Sequence, residues 1–270
     1  MCGITGIINF NKKPVERKML QKMTRVLSHR GPDDEGIFVE KNVGLGHRRL
    51  SIIDLTKAGH QPMFYDGKNL AIVYNGEIYN YLEIRQELQK KGYKFKSQTD
   101  TEVILASYQE WGTDCLQKFN GMWALAIYDK KKNIIFCARD RLGVKPFYYF
   151  LDKNKFVFAS EIKGILAHPE IKAKENERIV WDYLVCGFVD HREETFFKGI
   201  KELRGGYCLK MQIRNARYEM RKYWDVDAET QTIFKKDSEY AEKFKELFLD
   251  SVKLRLRSDV PIGTCLSGGL

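Results

Sequence analysis

The alternation of apolar and polar side chains along this chain predicts strands, then two central helices, then strands again. Short apolar or β-branched runs predict strands over residues 2–10, 36–39, 43–53, 70–74, 122–128, 134–139, 147–151 and 155–160, and at the end of residues 205–212. The dipeptide Asn75-Gly76 is typical of a tight turn and predicts that the strand 70–74 ends there. The polar segment 28–34, with Gly and Pro, predicts a loop.

Helices are predicted where apolar residues recur every three or four positions. The predicted helices cover residues 18–27, 80–90, 100–111, 179–186 and 238–252. Asn80 and Ser238 stand at the start of two of these helices, and both residue types are common helix N-caps. After the last helix, Pro261 precedes an apolar run that predicts a strand over residues 262–266.

The order of the elements differs from the regular strand–helix alternation of a parallel doubly wound sheet. It favours an α+β fold in which antiparallel sheets stack and helices cover their outer faces. The polar residues 213–236 have few periodic apolar positions and are expected to form a linker. We therefore expect one domain over residues 2–212 and the incomplete start of a second over residues 237–270, since a helix and one strand cannot bury a core.

The net charge of +10, from 46 Lys and Arg against 36 Asp and Glu, raises the question of nucleic-acid binding. The longest basic run is only residues 130–132, and no basic cluster alternates with stacking aromatic residues, so we expect no nucleic-acid partner. No apolar run is long enough to span a membrane. The first residues lack the basic and apolar regions of a signal peptide, so we expect a cytoplasmic protein without a membrane partner.

The six cysteines are too far apart to form a CxxC ligand pair, so we expect no metal site. Cys2 differs from the others because removal of the initiator methionine would make it the N-terminal residue. Its α-amine, with an ordinary pKa of about 7.7–8.0, could then accept the proton of its own thiol. Base and nucleophile would lie on one residue. The alternative is a small buried residue that opens a strand.

Three other positions could bind parts of a substrate. Asn75 and Gly76 could donate a side-chain and a main-chain N–H to the oxyanion of an acyl-transfer intermediate, or they could form a plain turn. Arg49 offers a guanidinium fork to a carboxylate, or is an exposed strand residue. Asp100 precedes a predicted helix, where it could bind a cation or simply cap the helix.

Together these residues meet the needs of an amino-acid amide as substrate. Cys2 supplies a nucleophile for the side-chain carbonyl, and the Asn75-Gly76 pair supplies donors for the oxyanion. Arg49 offers a cation to the α-carboxylate, while Glu77 or Asp100 offers an anion to the α-ammonium group.

Eight segments, in order along residues 2–166, resemble the glutamine-hydrolysing asparagine synthetases and, through them, the class II glutamine amidotransferases. They are CGITGI (2–7), HRGPDDEG (29–36), GHRRLSIIDL (46–55), YNGEIYNY (74–81), TDTEVIL (99–105), FNGMWALAIYD (119–129), RDRLGVKPFYY (139–149) and FASEIKGIL (158–166). The resemblance implies the fold of the N-terminal nucleophile hydrolases, a four-layer αββα sandwich of two antiparallel sheets.

The resemblance implies that Cys2 is the catalytic nucleophile, which attacks the side-chain amide of L-glutamine to give a thioester and free ammonia. Asn75 and Gly76 fall where the family places its oxyanion hole. No cofactor is implied for this step.

The resemblance also implies how glutamine is held. Arg49 corresponds to the ligand of the α-carboxylate, with the main chain as far as Ile53 lining the pocket. Glu77 and Asp100 fall on positions that bind the α-amino group. Arg30 lies in a loop that, in the family, folds over bound glutamine.

A weaker resemblance reaches the end of the sequence. The segment CLSGG resembles the opening of the phosphate-binding loop of ATP-pyrophosphatase-type synthetase domains, which implies a partial nucleotide site at Leu266, Ser267, Gly268 and Gly269. Small residues after a strand expose N–H groups to a polyphosphate, although an SGG segment alone is also typical of a turn. In the family, this domain uses ATP and Mg²⁺ to adenylylate aspartate, and ammonia then displaces AMP to give asparagine.

The family's loop continues beyond the position of Leu270 into a whole domain. We therefore expect residues 1–270 to lack asparagine synthesis and to retain glutaminase activity if the first domain folds alone. A homodimer is implied by the resemblance only. One alternative is an amidotransferase that serves another acceptor, for instance in surface-polysaccharide synthesis. The other is a non-catalytic fragment that binds a partner or dimerises.

Overall fold

The strands of this protein form two separate antiparallel sheets in a computed structural model that describes residues 1–230 and 232–264. In chain order the strands are β1 (Gly3–Asn9), β2 (Asp34–Glu40), β3 (Val43–Arg49), β4 (Met63–Tyr65), β5 (Leu70–Ile78), β6 (Gly121–Asp129), β7 (Ile134–Arg139), β8 (Tyr148–Leu151), β9 (Lys155–Ala159), β10 (Ile200–Glu202), β11 (Tyr207–Gln212) and β12 (Tyr218–Lys222). The first sheet has the order β10-β8-β9-β1-β3-β2, and the second has the order β12-β11-β7-β6-β5-β4.

Helices cover the outer faces of both sheets. In chain order the helices are α1 (Arg17–Arg25), α2 (Tyr81–Lys90), α3 (Asp100–Trp111), α4 (Ile162–Leu166), α5 (Glu177–Cys186) and α6 (Asp237–Arg255), with short 3-10 segments at Lys57–Gly59 and Gly112–Lys118. Helices α1 to α4 form the outer layers, whereas α6 buries none of its residues. Across residues 1–230 and 232–264, no helix combines the length and the apolar character that crossing a membrane requires.

Strand β5 shows how the layers arise from the sequence. Successive side chains of a strand point to opposite faces, so an apolar run such as LAIVY serves two cores. Ile72 and Tyr74 pack with α2 and α3 on one side of the second sheet. Ala71 and Val73 point the other way and pack against Ile4 and its neighbours in the first sheet.

A third core lies on the far side of the first sheet. Leu20 and Met23 of α1 and Ile165 of α4 pack there against Ile7 of β1 and Val157 of β9. Helices, sheet, sheet and helices thus form four layers. The predicted α+β fold with an αββα sandwich is confirmed.

The prediction of a turn at Asn75-Gly76 is wrong. Strand β5 continues through both residues to Ile78, and Gly76 pairs with Trp123 of β6. A β-carbon on Gly76 would lie 2.2 Å from the main-chain oxygen of Met122, and its φ of +154° favours glycine. The glycine serves a close approach between two central strands instead of a hairpin.

Two other predicted boundaries, the end of β3 and the start of the linker, differ from those in the structure. Strand β3 ends at Arg49, so residues 50–53 form a loop and not the end of a strand. Residues 213–236 include β12, which pairs with β11, and Tyr223, whose phenol donates to the main-chain oxygen of Arg139 over 2.6 Å. The irregular stretch is therefore shorter than predicted from its polar composition.

The helix starts differ in detail. Asn80 precedes α2 as predicted, but its side-chain oxygen accepts from the main chain of Asn120 and does not cap the helix. Helix α6 begins at Asp237, one residue before Ser238. Residues 262–264 do not form the predicted strand, and Cys265 and Leu266, like the predicted nucleotide loop up to Gly269, lie outside the described residues.

Candidate active site

The ends of β1, β3 and β5 and the start of α3 meet at a cavity of about 240 Å³. Among the described residues, those that line it are Met1, Cys2, Arg49, Leu50, Ile52, Ile53, Gly59, Gln61, Tyr74, Asn75, Gly76, Glu77, Thr99, Asp100, Thr101 and Lys145. All the residues predicted from the sequence to bind or attack glutamine lie in this group, except Arg30. They come from four separate stretches of the chain, and the fold brings them together.

The thiol of Cys2 lies just before β1, at the wall formed by the loop after β3. The main-chain N–H of Leu50 donates to Cys2 Sγ over 3.3 Å. Burial raises the pKa of the Cys2 thiol, while the Leu50 N–H, the N-terminal ammonium group and the Arg49 charge favour the thiolate to a lesser degree. The resting side chain is therefore a thiol, and a proton acceptor is needed to make it a nucleophile.

An amine with a lowered pKa lies next to this thiol. The N-terminal amine, carried by Met1 in the unprocessed chain, has its pKa lowered by burial and by the positive charges of Arg30 and Lys145. While Met1 is attached, the nitrogen of Cys2 is an amide and cannot act as a base. Removal of Met1 would place the amine on Cys2 itself.

Asn75 presents an unused amide group to the cavity. Its side chain is about 1% exposed, and neither its nitrogen nor its oxygen has a hydrogen-bond partner among the described residues. Buried amides are normally hydrogen-bonded, so an unpaired one at a cavity wall indicates a ligand group that belongs there. With the neighbouring Gly76, it can offer N–H donors to a carbonyl oxygen that gains negative charge.

Arg49 is held by main-chain carbonyl groups. Its guanidinium donates to the oxygens of Ile53, Asp54 and Thr56, at 3.2 Å and 2.9 Å for the first and last of these. Both N–H groups of Nη2 and one of Nη1 are thereby used, and the guanidinium, which lines the cavity, still offers its positive charge and an N–H group to a carboxylate there. A β-carbon on Gly59 would lie 1.8 Å from Arg49 Nη2, so only glycine leaves room for this guanidinium.

Asp100 is a buried carboxylate that lines the same cavity as Arg49. Its Oδ2 accepts from the Tyr74 hydroxyl over 2.8 Å and from the main-chain N–H of Ile78 over 2.9 Å. Burial raises the pKa of Asp100 to about 6, although these two hydrogen bonds oppose the shift. Thr99 caps α3, since its hydroxyl accepts from the main chain of Glu102, so Asp100 is not an ordinary cap.

Arg30 lies outside the cavity lining. Its Nε donates to the main-chain oxygen of Cys2 over 2.8 Å, and its Nη1 donates to Glu161 Oε1 over 3.0 Å. Arg30 therefore fixes the backbone of the nucleophile in this conformation, and its place in a loop over bound glutamine stays a prediction.

Lys145 lines the cavity but was not found from the sequence, although the segment 139–149 contains it. The loop that carries it is shaped by Asp140, a buried residue that accepts main-chain N–H groups from Trp123, Leu142, Val144 and Lys145. Sequence spacing alone gave no sign that this loop turns back to Cys2.

Tyr74 was also missed, because its role depends on two contacts distant in sequence. Its main-chain N–H donates to Gln61 Oε1 over 2.7 Å, while its hydroxyl donates to Asp100.

No group of three or more His, Cys, Asp or Glu side chains in residues 1–230 and 232–264 could hold a metal ion.

Comparison with known proteins agrees with this geometry. Residues 1–224 match the family model described as the glutamine amidotransferase domain, and residues 243–270 match the model described as asparagine synthase. The chain is 45% identical to a Methanocaldococcus jannaschii protein with the provisional name glutamine-hydrolysing asparagine synthetase 2, and 43% identical to glutamine-hydrolysing asparagine synthetase 3 of Bacillus subtilis. The matches cover the whole chain but 55% and 44% of those proteins, so the chain spans about half their length.

Among solved structures, glutamine phosphoribosylpyrophosphate amidotransferase from B. subtilis superposes with a TM-score of 0.59 at 18% identity. The match covers 83% of this chain and 49% of that enzyme. At this identity the likeness concerns the fold alone, the sandwich of two antiparallel sheets. Because the family model covers most of the chain and the cavity holds the residues described above, this chain belongs to the glutamine amidotransferase domain family.

Proposed function

We propose that this chain hydrolyses the side-chain amide of L-glutamine to glutamate and ammonia, with Cys2 as nucleophile. One observation carries the proposal: a single small cavity is lined by a thiol, an unpaired buried amide, a guanidinium and two carboxylates. The guanidinium complements the α-carboxylate of glutamine, the two carboxylates complement its α-ammonium group, and the thiol and the unpaired amide face its side-chain amide.

Glutamine is oriented by its charged end. The guanidinium of Arg49 binds the α-carboxylate, and Asp100 and Glu77 bind the α-ammonium group. The side chain then extends toward Cys2 and Asn75, which line the same cavity. Burial makes these charge pairs stronger than they would be in water.

The acylation step forms one bond and breaks another. After Met1 is removed, the α-amine of Cys2 takes the thiol proton, and the sulfur attacks the side-chain carbonyl carbon of glutamine. Asn75 and Gly76 stabilise the oxyanion of the tetrahedral intermediate. As the intermediate collapses, the protonated amine returns its proton to the leaving nitrogen, and ammonia departs from a thioester on Cys2.

Water completes the cycle. The same amine, now neutral, removes a proton from a water molecule that attacks the thioester carbonyl carbon. The second tetrahedral intermediate uses the same donors and expels the Cys2 thiolate, which recovers the proton. Glutamate is released, and the thiol and amine return to their starting states.

A direct assay tests the proposal. Chain confirmed by mass to lack Met1 should release equimolar glutamate and ammonia from glutamine, and Cys2→Ala should abolish this release. Cys186→Ala, which changes an exposed cysteine on α5, is the matched control and should keep full activity. A folded, Met1-free chain without glutaminase activity would contradict the proposal.

We further propose that the whole protein is an asparagine synthetase, in which the released ammonia amidates aspartate with ATP and Mg²⁺. The support comes from the match of residues 243–270 and from the relatives' names. The nucleotide loop Leu266–Gly269 lies outside the described residues, so this part rests on the sequence. An enzyme with another ammonia acceptor remains the alternative, and asparagine formation by the longer protein would distinguish the two.

The domain division belongs to the same proposal. We place the amidotransferase domain before the linker and the start of the synthetase domain at about residue 237, where α6 begins. No residue of α6 is buried, as expected for a helix that belongs to a second unit. Because β12 and Tyr223 pack with the second sheet, we extend the first domain from residue 212 to about 224.

For residues 1–270 alone, we propose that the reaction stops at ammonia. The absence of aspartate-dependent pyrophosphate release from ATP would support this, and its presence would contradict it. A homodimer and a cytoplasmic location are further proposals. The location is supported by five free thiols among the described residues, which fit a reducing compartment.

A further inference from the structure

The end of α6 and the residues after it contact two parts of the chain that carry cavity residues, the loop after β3 and the segment that follows β5. We call residues 255–259 the strap. It carries Arg255, Arg257 and Asp259, and it lies within the segment 243–270 that matches asparagine synthase. None of these residues lines the cavity.

Asp259 holds the wall that carries the Arg49 ligands. Its Oδ2 accepts from the main-chain N–H of Asp54 over 2.7 Å, and its own N–H donates to the oxygen of Ile52 over 3.0 Å. The oxygen of Asp54 is in turn one of the three carbonyl groups that fix the Arg49 guanidinium. A short chain of contacts therefore runs from Asp259 through Asp54 to Arg49.

The loop at Asp54 needs this support. Asp54 has a φ of +56°, a left-handed conformation that costs free energy for a residue with a side chain. Such a conformation persists only where surrounding contacts fix it. The side chain of Asp54 binds the main chain of Gln98 and Thr56, and Asp259 supplies the contact to its N–H.

Arg257 contacts the segment that follows the cavity residue Glu77, which we call the Glu77 wall. Its guanidinium donates to the main-chain oxygen of Tyr79 and to both carboxylate oxygens of Glu83, each over 2.6 Å. Arg255 lies over the Tyr79 ring, 5.1 Å from its centre. Tyr79 follows the cavity residue Glu77 by two positions, directly after the end of β5. Burial and then the Glu77 charge raise the pKa of Tyr79 to about 12.

We propose that Asp259 and Arg257 are positioning residues for glutamine binding, which together hold the Arg49 wall and the Glu77 wall at the spacing that fits the substrate. The inference rests on the proposed glutaminase function. Because coupling between two sites is reciprocal, glutamine in the cavity also stabilises the strap, and the second domain can thereby respond to substrate in the first.

Glutamine binding in the absence of turnover tests the inference. In the Cys2→Ala background of the full chain, titration calorimetry with L-glutamine should give a dissociation constant raised about tenfold by Asp259→Ala, the effect of losing one hydrogen bond to a charged group. Glu242→Ala removes a carboxylate from α6 that makes no hydrogen bond with the described residues, and it should bind as the parent does. In the Cys2-containing chain, Asp259→Ala should raise KM by the same factor and leave kcat within about twofold.

A charge exchange separates positioning from general destabilisation. Arg257→Glu and Glu83→Arg should each weaken glutamine binding, and the double variant should restore much of it, because the ion pair is re-formed in the opposite sense. If Asp259→Ala binds glutamine as tightly as Glu242→Ala, or if the double exchange is no better than the single ones, the inference is wrong. If the Cys2→Ala parent binds no glutamine, the proposed function itself fails, which is a different result.

Discussion

The main-chain N–H of Leu50 donates to Cys2 Sγ over 3.3 Å, and Leu50 directly follows Arg49. The proposed nucleophile and the proposed carboxylate ligand are thus joined through one peptide unit. A substrate whose α-carboxylate binds Arg49 therefore meets the thiol at a set distance, which favours attack on one particular carbonyl group of that substrate.

Asn75→Ala should slow the chemical step. The unpaired side-chain amide is proposed to bind the oxyanion, so its loss should lower kcat about 10²–10³-fold while KM changes little. Steady-state rates of ammonia release measure both constants. A rise in KM with kcat unchanged would show that Asn75 binds ground-state glutamine instead.

The pKa of Asp100 predicts how glutamine binding depends on pH. Burial raises this pKa to about 6, and the α-ammonium group requires the ionised carboxylate. Glutamine affinity should therefore fall as the pH decreases below about 6, approaching tenfold per pH unit. Asp100→Asn should bind glutamine weakly and without this pH dependence, as titration calorimetry in the Cys2→Ala background would show.

The raised pKa of Asp100 also predicts how the free energy of unfolding depends on pH. Because the folded pKa of Asp100 lies above its ordinary value of 3.8, the folded state binds the proton more tightly than the unfolded state between pH 4 and 6. This group therefore lowers the free energy of unfolding as the pH rises through that window. Denaturant titrations between pH 4 and 6 should show this fall in the free energy of unfolding in the wild type, and Asp100→Asn should lack the part that comes from Asp100.

Gly59→Ala should disturb the Arg49 guanidinium. The added β-carbon would lie 1.8 Å from Nη2, so the guanidinium must move from its carbonyl ligands and KM for glutamine should rise by tenfold or more. Gly263→Ala adds the same methyl group in open space and should behave as the wild type. A normal KM for Gly59→Ala would contradict the role given to Arg49.

Retention of Met1 should inactivate the chain. With Met1 attached, the Cys2 nitrogen is an amide and cannot accept the proton of the Cys2 thiol, whose pKa is raised by burial, and Met1 itself occupies part of the cavity wall. Protein made while methionine aminopeptidase is inhibited should therefore lack glutaminase activity, and treatment with the aminopeptidase should restore it. Full activity of a chain shown by mass to keep Met1 would exclude the α-amine as the base.

Local patterns predicted the layers of this fold well, because alternation and helical spacing directly record which faces are buried. The same reasoning misjudged Asn75-Gly76, since the pairing of Gly76 with Trp123 joins segments about fifty residues apart. Asn-Gly predicts a turn reliably only where the two residues do not pair with a neighbouring strand.

The candidate site was predicted in part for a chemical reason. Cys2, Arg49 and Asp100 could be proposed because an amino-acid amide needs a nucleophile, a cation and an anion. Tyr74 and Lys145 have no such independent signal, because they act through tertiary contacts with Asp100 and with the loop around Asp140. Residues that position other residues become visible only in the folded structure.

The acyl group on Cys2 is the most direct test of the central claim. Met1-free chain turning over glutamine should be quenched in acid, digested and analysed by peptide mass spectrometry. The account predicts a γ-glutamyl thioester on the peptide that begins with Cys2, and neither adduct nor ammonia release in Cys2→Ala. Continued glutamine hydrolysis by Cys2→Ala would contradict it.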